Sequence, residues 1–176
     1  MASLPVGSRR RALLSVTDKT GIVELGTLLA GHGYELVASG GTAAALRQAD
    51  VPVTSVSDLT GYPEVFGGRV KTLHPVIHGG ILGPTAASFT ETAALGIAPI
   101  DVVVVNLYRF ADAVASGASD PEIVEKIDIG GPTLLRAAAK NFARVTVLSD
   151  PDDYDAFAAQ VVDNDGATTV DFRREM

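Results

Sequence analysis

Short apolar runs alternate along the chain with stretches whose apolar residues recur at helical spacing. Ala12–Val16 is an apolar run ending at Thr17, Asp18 and Lys19, the pattern of a buried strand entering a loop. Ile22, Leu25, Leu28 and Leu29 then share one helical face between Thr20 and Ala30, and Gly31 and Gly33 supply the stop. Tyr34–Ala38 reads as a second strand leading straight into Ser39-Gly40-Gly41-Thr42, where Thr42 is expected to cap an alanine-rich helix reaching Ala49. Val51–Val56 reads as a third, short strand. Pro75 to Ile81 predicts a helical turn, and Ser88–Leu95 a short helix ended by Gly96. Val102–Val105 is an unbroken valine run, apolar on both faces, as in the middle of a parallel sheet. Tyr108–Ala115, Pro121–Ile127 and Pro132–Phe142 predict helices, Val145–Leu148 a strand and Pro151–Val162 a last amphipathic helix. Asp163–Met176 is polar and weakly patterned.

Strand and helix alternate throughout, which predicts an α/β fold: three layers, with a mainly parallel sheet flanked by helices. The length, 176 residues, suits one well-packed domain. That domain is expected to span residues 11–163, after a disordered lead-in (1–10) and before a polar tail (164–176). A hydrophobic share of 47% with only 20% charged residues excludes a disordered chain. The net charge of −7 argues against a nucleic-acid partner. No apolar run approaches the roughly 20 residues that span a bilayer, the segment after the N-terminal arginines is short for a signal peptide, and there is no cysteine. These features suggest a cytoplasmic protein.

An acidic protein that binds an anion must gather its few cations locally, so the 14 lysines and arginines become informative. Gly67–Gly80, GGRVKTLHPVIHGG, packs Arg69, Lys71, His74 and His78 into one glycine-bounded segment, with Thr72 following the cations. In an open α/β sheet ligands bind at the carboxyl ends of the strands. Thr17-Asp18-Lys19, Ser39-Gly40-Gly41-Thr42 and Asn106-Leu107-Tyr108 follow strands there, and Asp128-Ile129-Gly130-Gly131 precedes a helix. The Ser39–Thr42 junction suits a phosphate, through exposed backbone N–H groups, two hydroxyls and a helix N-terminus; it equally suits an ordinary cap. Lys19 beside it tips the balance towards phosphate. Asp128 is either a turn residue or a carboxylate able to take a proton from a substrate N–H, with neighbouring amides to hold an oxygen. Arg136 and Lys140 are four residues apart on one helical face. His74 and His78 share that spacing, but no cysteine or H-E-x-x-H motif completes a metal site, and none is expected.

Six of these segments, in this order, resemble the IMP cyclohydrolase domain, the N-terminal part of the bifunctional purine biosynthesis enzymes. They are Ser15–Gly21 (SVTDKTG), Ala38–Thr42 (ASGGT), Gly68–Pro75 (GRVKTLHP), Val105–Tyr108 (VNLY), Ile127–Gly131 (IDIGG) and Arg136–Asn141 (RAAAKN). The likeness covers about residues 11 to 155 and departs from the family pattern at Arg109 and Phe142. It implies the methylglyoxal-synthase-like α/β fold, a homodimer, and a chain that normally continues into an AICAR transformylase domain. The implied reaction closes the pyrimidine ring of 5-formamidoimidazole-4-carboxamide ribotide (FAICAR), with loss of water, to give IMP; no organic cofactor is needed. Carried over by position, the nucleotide contacts fall on Thr17, Asp18, Lys19, Ser39, Gly40, Gly41, Thr42, Arg69, Val70, Lys71, Thr72, Asn106, Leu107, Asp128, Ile129, Gly130 and Gly131. The expected catalytic set is Lys140 and Tyr108 for proton transfer, Asp128 to orient the carboxamide nitrogen and Lys71 to stabilise an oxyanion. His74 and His78 are expected to shape their loop. Two other readings share the fold: a nucleotide-sensing regulatory domain like that of carbamoyl phosphate synthetases, and methylglyoxal synthase itself.

Overall fold

The computed structural model describes residues 10–108 and 110–176. Five strands form one sheet: β1 (Arg11–Val16), β2 (Glu35–Ala38), β3 (Thr54–Ser55), β4 (Val102–Asn106) and β5 (Thr146–Leu148). Their order is β3-β2-β1-β4-β5, and every pairing is parallel. The chain therefore builds outward from β1 through β2 to β3, then returns to the other side of β1 with β4 and continues to β5. The reversal between β1 and β4 opens a crevice at the carboxyl ends of those two strands, the ligand position in open sheets of this kind.

Side chains alternate along each strand, so the two faces of the sheet carry separate cores. Ala12, Leu14, Val102 and Val104 point to one face, where α1 (Ile22–Gly31), α2 (Gly40–Gln48) and α9 (Tyr154–Asp163) lie. Leu13, Val103 and Val105 point to the other, against α3 (Val56–Thr60), α4 (Pro75–Leu82) and α8 (Gly130–Lys140). The valine run is buried over its whole length because it is covered from both sides. Three short helices, α5 (Ala86–Thr92), α6 (Phe110–Ala115) and α7 (Asp120–Glu125), complete the connections. The expected N-terminal lead-in lies outside the described residues except for Arg10, as does Arg109.

Three local expectations change. Thr42 does not cap α2: Ser39 holds the N-cap position, while the Thr42 hydroxyl donates to the Val16 carbonyl and accepts from the Val16 N–H, both at 3.1 Å. A hydroxyl can do both at once, and here it ties the end of β1 to α2. The third strand keeps only Thr54–Ser55, because Ser55 accepts from the Asp58 N–H and starts α3 at Val56. The tail is not a loose polar segment. Residues Val170–Glu175 form α10, capped by Thr169, with Phe172 packed into the first core. Arg173 is buried beside it and bonds the carbonyls of Phe142 and Ala143. Val170 and Phe172 are the only apolar residues of the six in α10, too few to show a helical period in the sequence.

Candidate functional site

A cleft of about 510 Å³ opens at the β1–β4 reversal. It brings together Thr17 and Lys19 after β1, Ser39, Gly41 and Thr42 after β2, and Arg69, Lys71 and Thr72 from the glycine-bounded segment. Asn106 and Tyr108 come after β4, and Asp128, Ile129, Gly130 and Gly131 from the start of α8. Asp18, Gly40, Val70 and Leu107, expected as contacts, do not line it. Asp18 is engaged in its own loop, accepting from the N–H and hydroxyl of Thr20 at 2.9 and 2.7 Å.

Two helix N-termini point at this cleft. No side chain caps α2, so its first N–H groups keep their hydrogen-bonding capacity. Gly40 there has φ +48, a left-handed conformation, and a Cβ at that position would sit 3.0 Å from Lys71 Nζ. Lys19 approaches the same turn from the other side, its Nζ 3.5 Å from where a Gly41 Cβ would be. Neither lysine takes part in an ion pair among the described residues. Two ammonium groups beside the positive end of a helix repel one another unless an anion sits between them. The arrangement has the charge and donors that a phosphate or another oxygen-rich anion would need.

At the second helix, Asp128 accepts from the Gly131 N–H at 2.8 Å, which is the turn-residue role weighed from the sequence. That bond leaves the other carboxylate oxygen available on a half-buried residue. Gly131 has no room for a side chain: a Cβ would lie 2.4 Å from Leu107 and 2.6 Å from Asp128. Asn106 spends its amide on the β1–α1 loop, accepting from the N–H groups of Thr17 and Asp18 at 2.6 and 2.9 Å and donating to the Asp18 carbonyl. It lines the cleft chiefly as the clasp that holds the β1 loop in place. Tyr108 is half exposed at the rim, with Lys126 Nζ 5.2 Å above its ring.

Lys140 does not reach this cleft. Gly130 and Lys140 are the first and last residues of α8, ten positions apart, and at about 1.5 Å per residue the helix carries the lysine roughly 15 Å away. It lines a second, more open groove with Arg136, His74, His78 and Leu82. His74 caps α4 there, its Nδ1 accepting from the Val76 N–H at 3.2 Å. His78 Nε2 is buried with no hydrogen-bond partner among the described residues, and burial lowers the pKa of the ring.

Sequence reasoning singled out neither Val124 nor Glu125 on α7, and both line the cleft. Glu125, the last residue of α7, pairs with Arg69 through both carboxylate oxygens. The two are 56 positions apart, so no local spacing could have signalled the contact.

The MGS-like domain family model matches residues 21–133, which include most of the cleft. The chain belongs to the MGS-like domain family. Its relatives include the bifunctional purine biosynthesis protein PurH of Dinoroseobacter shibae, 53% identical over 95% of this chain and 32% of that protein. The PurH of Rhodospirillum rubrum is 52% identical over 99% of this chain and 33% of that protein. This MGS-like domain thus spans about a third of the length of the curated relatives it matches. Among solved structures, the crystal structure of ForH superposes with a TM-score of 0.82 at 38% identity, covering 96% of this chain and 89% of that one.

Proposed function

We propose that this MGS-like domain cyclises FAICAR to IMP. The observation that carries the reading is the convergence in one cleft of Lys19 and Lys71, neither in an ion pair among the described residues, with two helix N-termini and the Asp128 carboxylate. In the reaction the carboxamide nitrogen forms a C–N bond to the formyl carbon, giving a tetrahedral carbinolamine that then loses water. The carboxamide nitrogen gives up one proton and the formamide nitrogen the other, and the former formyl oxygen leaves with both as water. A carboxamide is a poor nucleophile, so the site must orient it and stabilise the oxygen as charge develops.

Lys19 and the Ser39–Thr42 turn take the 5′-phosphate. Asp128 accepts from the carboxamide N–H with the oxygen left free by its cap. Lys71 and the backbone N–H groups at Ile129–Gly130 stabilise the oxyanion, with Tyr108 at the rim relaying a proton. Lys140 joins this chemistry from a second copy of the chain, in the homodimer that the resemblance implies. Its exposure and that of Arg136 on the outer face of α8 support such a delivery. Continuation into a transformylase domain and a cytoplasmic location follow the same resemblance; no helix among the described residues is long and apolar enough to cross a membrane.

Incubation with FAICAR, followed by absorbance of IMP, is expected to show turnover. Tight IMP binding without turnover would favour the nucleotide-sensing reading. Lys140→Ala is expected to lower kcat by about 10²-fold or more, the usual scale for a lost proton-transfer group. Mixed with Lys71→Met, it should recover activity that neither variant has alone, because one site of each mixed dimer keeps both lysines. Near-wild-type turnover in Lys140→Ala would remove that residue from the mechanism.

A further inference from the structure

Arg69 and Glu125 meet at the mouth of the cleft and both line it. The guanidinium offers Nε and Nη2 to the two carboxylate oxygens, Nε reaching Oε1 at 3.4 Å. Both side chains stay largely open to solvent, at 66% and 56% exposure. An exposed pair of this kind ordinarily adds little to stability. Packing does not explain its position either, since neither α7 nor the preceding α6 buries a side chain among the described residues. The hydrogen bond and charge of Arg69 hold Glu125 below the usual carboxylate range, and those of Glu125 raise Arg69.

We propose that Glu125 is a built-in counter-ion for Arg69, and that a phosphorylated ligand enters the cleft by taking Arg69 from it. The inference rests on the anion-binding reading of the cleft. Without ligand, Arg69, Lys19 and Lys71 face one cavity, and the carboxylate offsets part of their repulsion. A guanidinium presents its donors as a planar fork that suits carboxylate and phosphate alike. Glu125 therefore sets a threshold: a dense array of anionic oxygens can displace it, whereas a neutral nucleoside cannot. Because the pair is exposed and α7 is lightly anchored, the exchange costs little when the right anion arrives. Glu125 is in this sense a specificity-determining residue that need not touch the reacting atoms.

Calorimetric titration of the full chain with inorganic phosphate and with IMP tests this. Glu125→Gln is expected to bind both probes about two- to fivefold tighter, the range for one exposed ion pair, and with a steeper dependence on salt. On an Arg69→Met background the gain should vanish. Unchanged or weaker affinity in Glu125→Gln overturns the proposal, as does equal tightening without Arg69, which would reflect net charge alone. Failure of either probe to bind any variant also overturns it. Glu125→Ala serves as a second variant that cannot hydrogen-bond Arg69, with circular dichroism to verify folding. FAICAR turnover is scored separately. Arg69-dependent tightening in a protein that does not cyclise FAICAR refutes the proposed reaction and keeps the counter-ion, whereas turnover with indifferent Glu125 variants does the reverse.

Discussion

Lys71→Met is expected to lower kcat for FAICAR cyclisation by about 10²- to 10³-fold, the loss typical of removing one preorganised oxyanion donor. Lys71 is held half-buried between two backbone turns, its Nζ 3.0 Å from a Cβ position on Gly40 and 3.4 Å from one on Gly68. An ammonium fixed that way needs no reorganisation when charge appears on the substrate, which is the condition for lowering a barrier rather than only binding. The split between constants separates the roles within the cleft. Lys71→Met should act mainly on kcat, while Lys19→Met, at the proposed phosphate position, should act mainly on KM. Steady-state kinetics on both variants checks this. A loss in Lys71→Met carried wholly by KM would assign that residue to binding.

The second large effect concerns stability and lies far from the chemistry. Arg144 donates to four backbone carbonyls, those of Gly80, Ile81, Gly83 and Ile100, and pairs with Asp101 at 3.0 Å. Both partners are nearly buried, at 14% and 13% exposure. Burial lowers the pKa of Arg144 and raises that of Asp101, in each case against the attraction of the partner. Desolvation therefore outweighs attraction on both sides, and the pair contributes little net energy while both members are present. Removing one member is another matter. Arg144→Met should cost about 3–5 kcal/mol, by leaving the buried Asp101 carboxylate without its cation and taking one donor from each of four carbonyls. For a domain of this size that is a fall in Tm of roughly 6–20 °C. Adding Asp101→Asn should recover part of the loss, since the stranded charge is then gone. Thermal unfolding of the single and double variants tests both statements, and a single-variant loss under about 1 kcal/mol would contradict them.

The sheet was legible because burial on both faces writes itself into the sequence as unbroken apolar runs. Val102–Val105 shows it most fully, and β1 and β2 carry shorter apolar runs of the same kind. The cleft was legible for a related reason: its residues cluster in short segments at strand ends, where chain direction brings them together. What stayed hidden depends on contacts distant in sequence. Thr42 looked like a cap because hydroxyls usually cap, yet its partner is Val16 on another element. Phe172 gave too little periodicity to announce a helix, and only the groove beside Tyr34 and Phe157 makes α10 worthwhile. Lys140 was grouped with the cleft by family likeness, and the rise of α8 separates the two within one chain.

The docking of α10 has a practical corollary. Tyr34 bonds the Gly166 carbonyl just before α10, and Arg173 reaches the segment preceding β5, so the helix sits at the amino edge of the sheet. The cleft opens at the opposite, carboxyl edge. A label attached to the outer face of α10 therefore sits on the far side of the domain from the cleft. Molecules immobilised through that helix would present their open mouths to the flowing solution, which suits surface-based measurement of ligand capture.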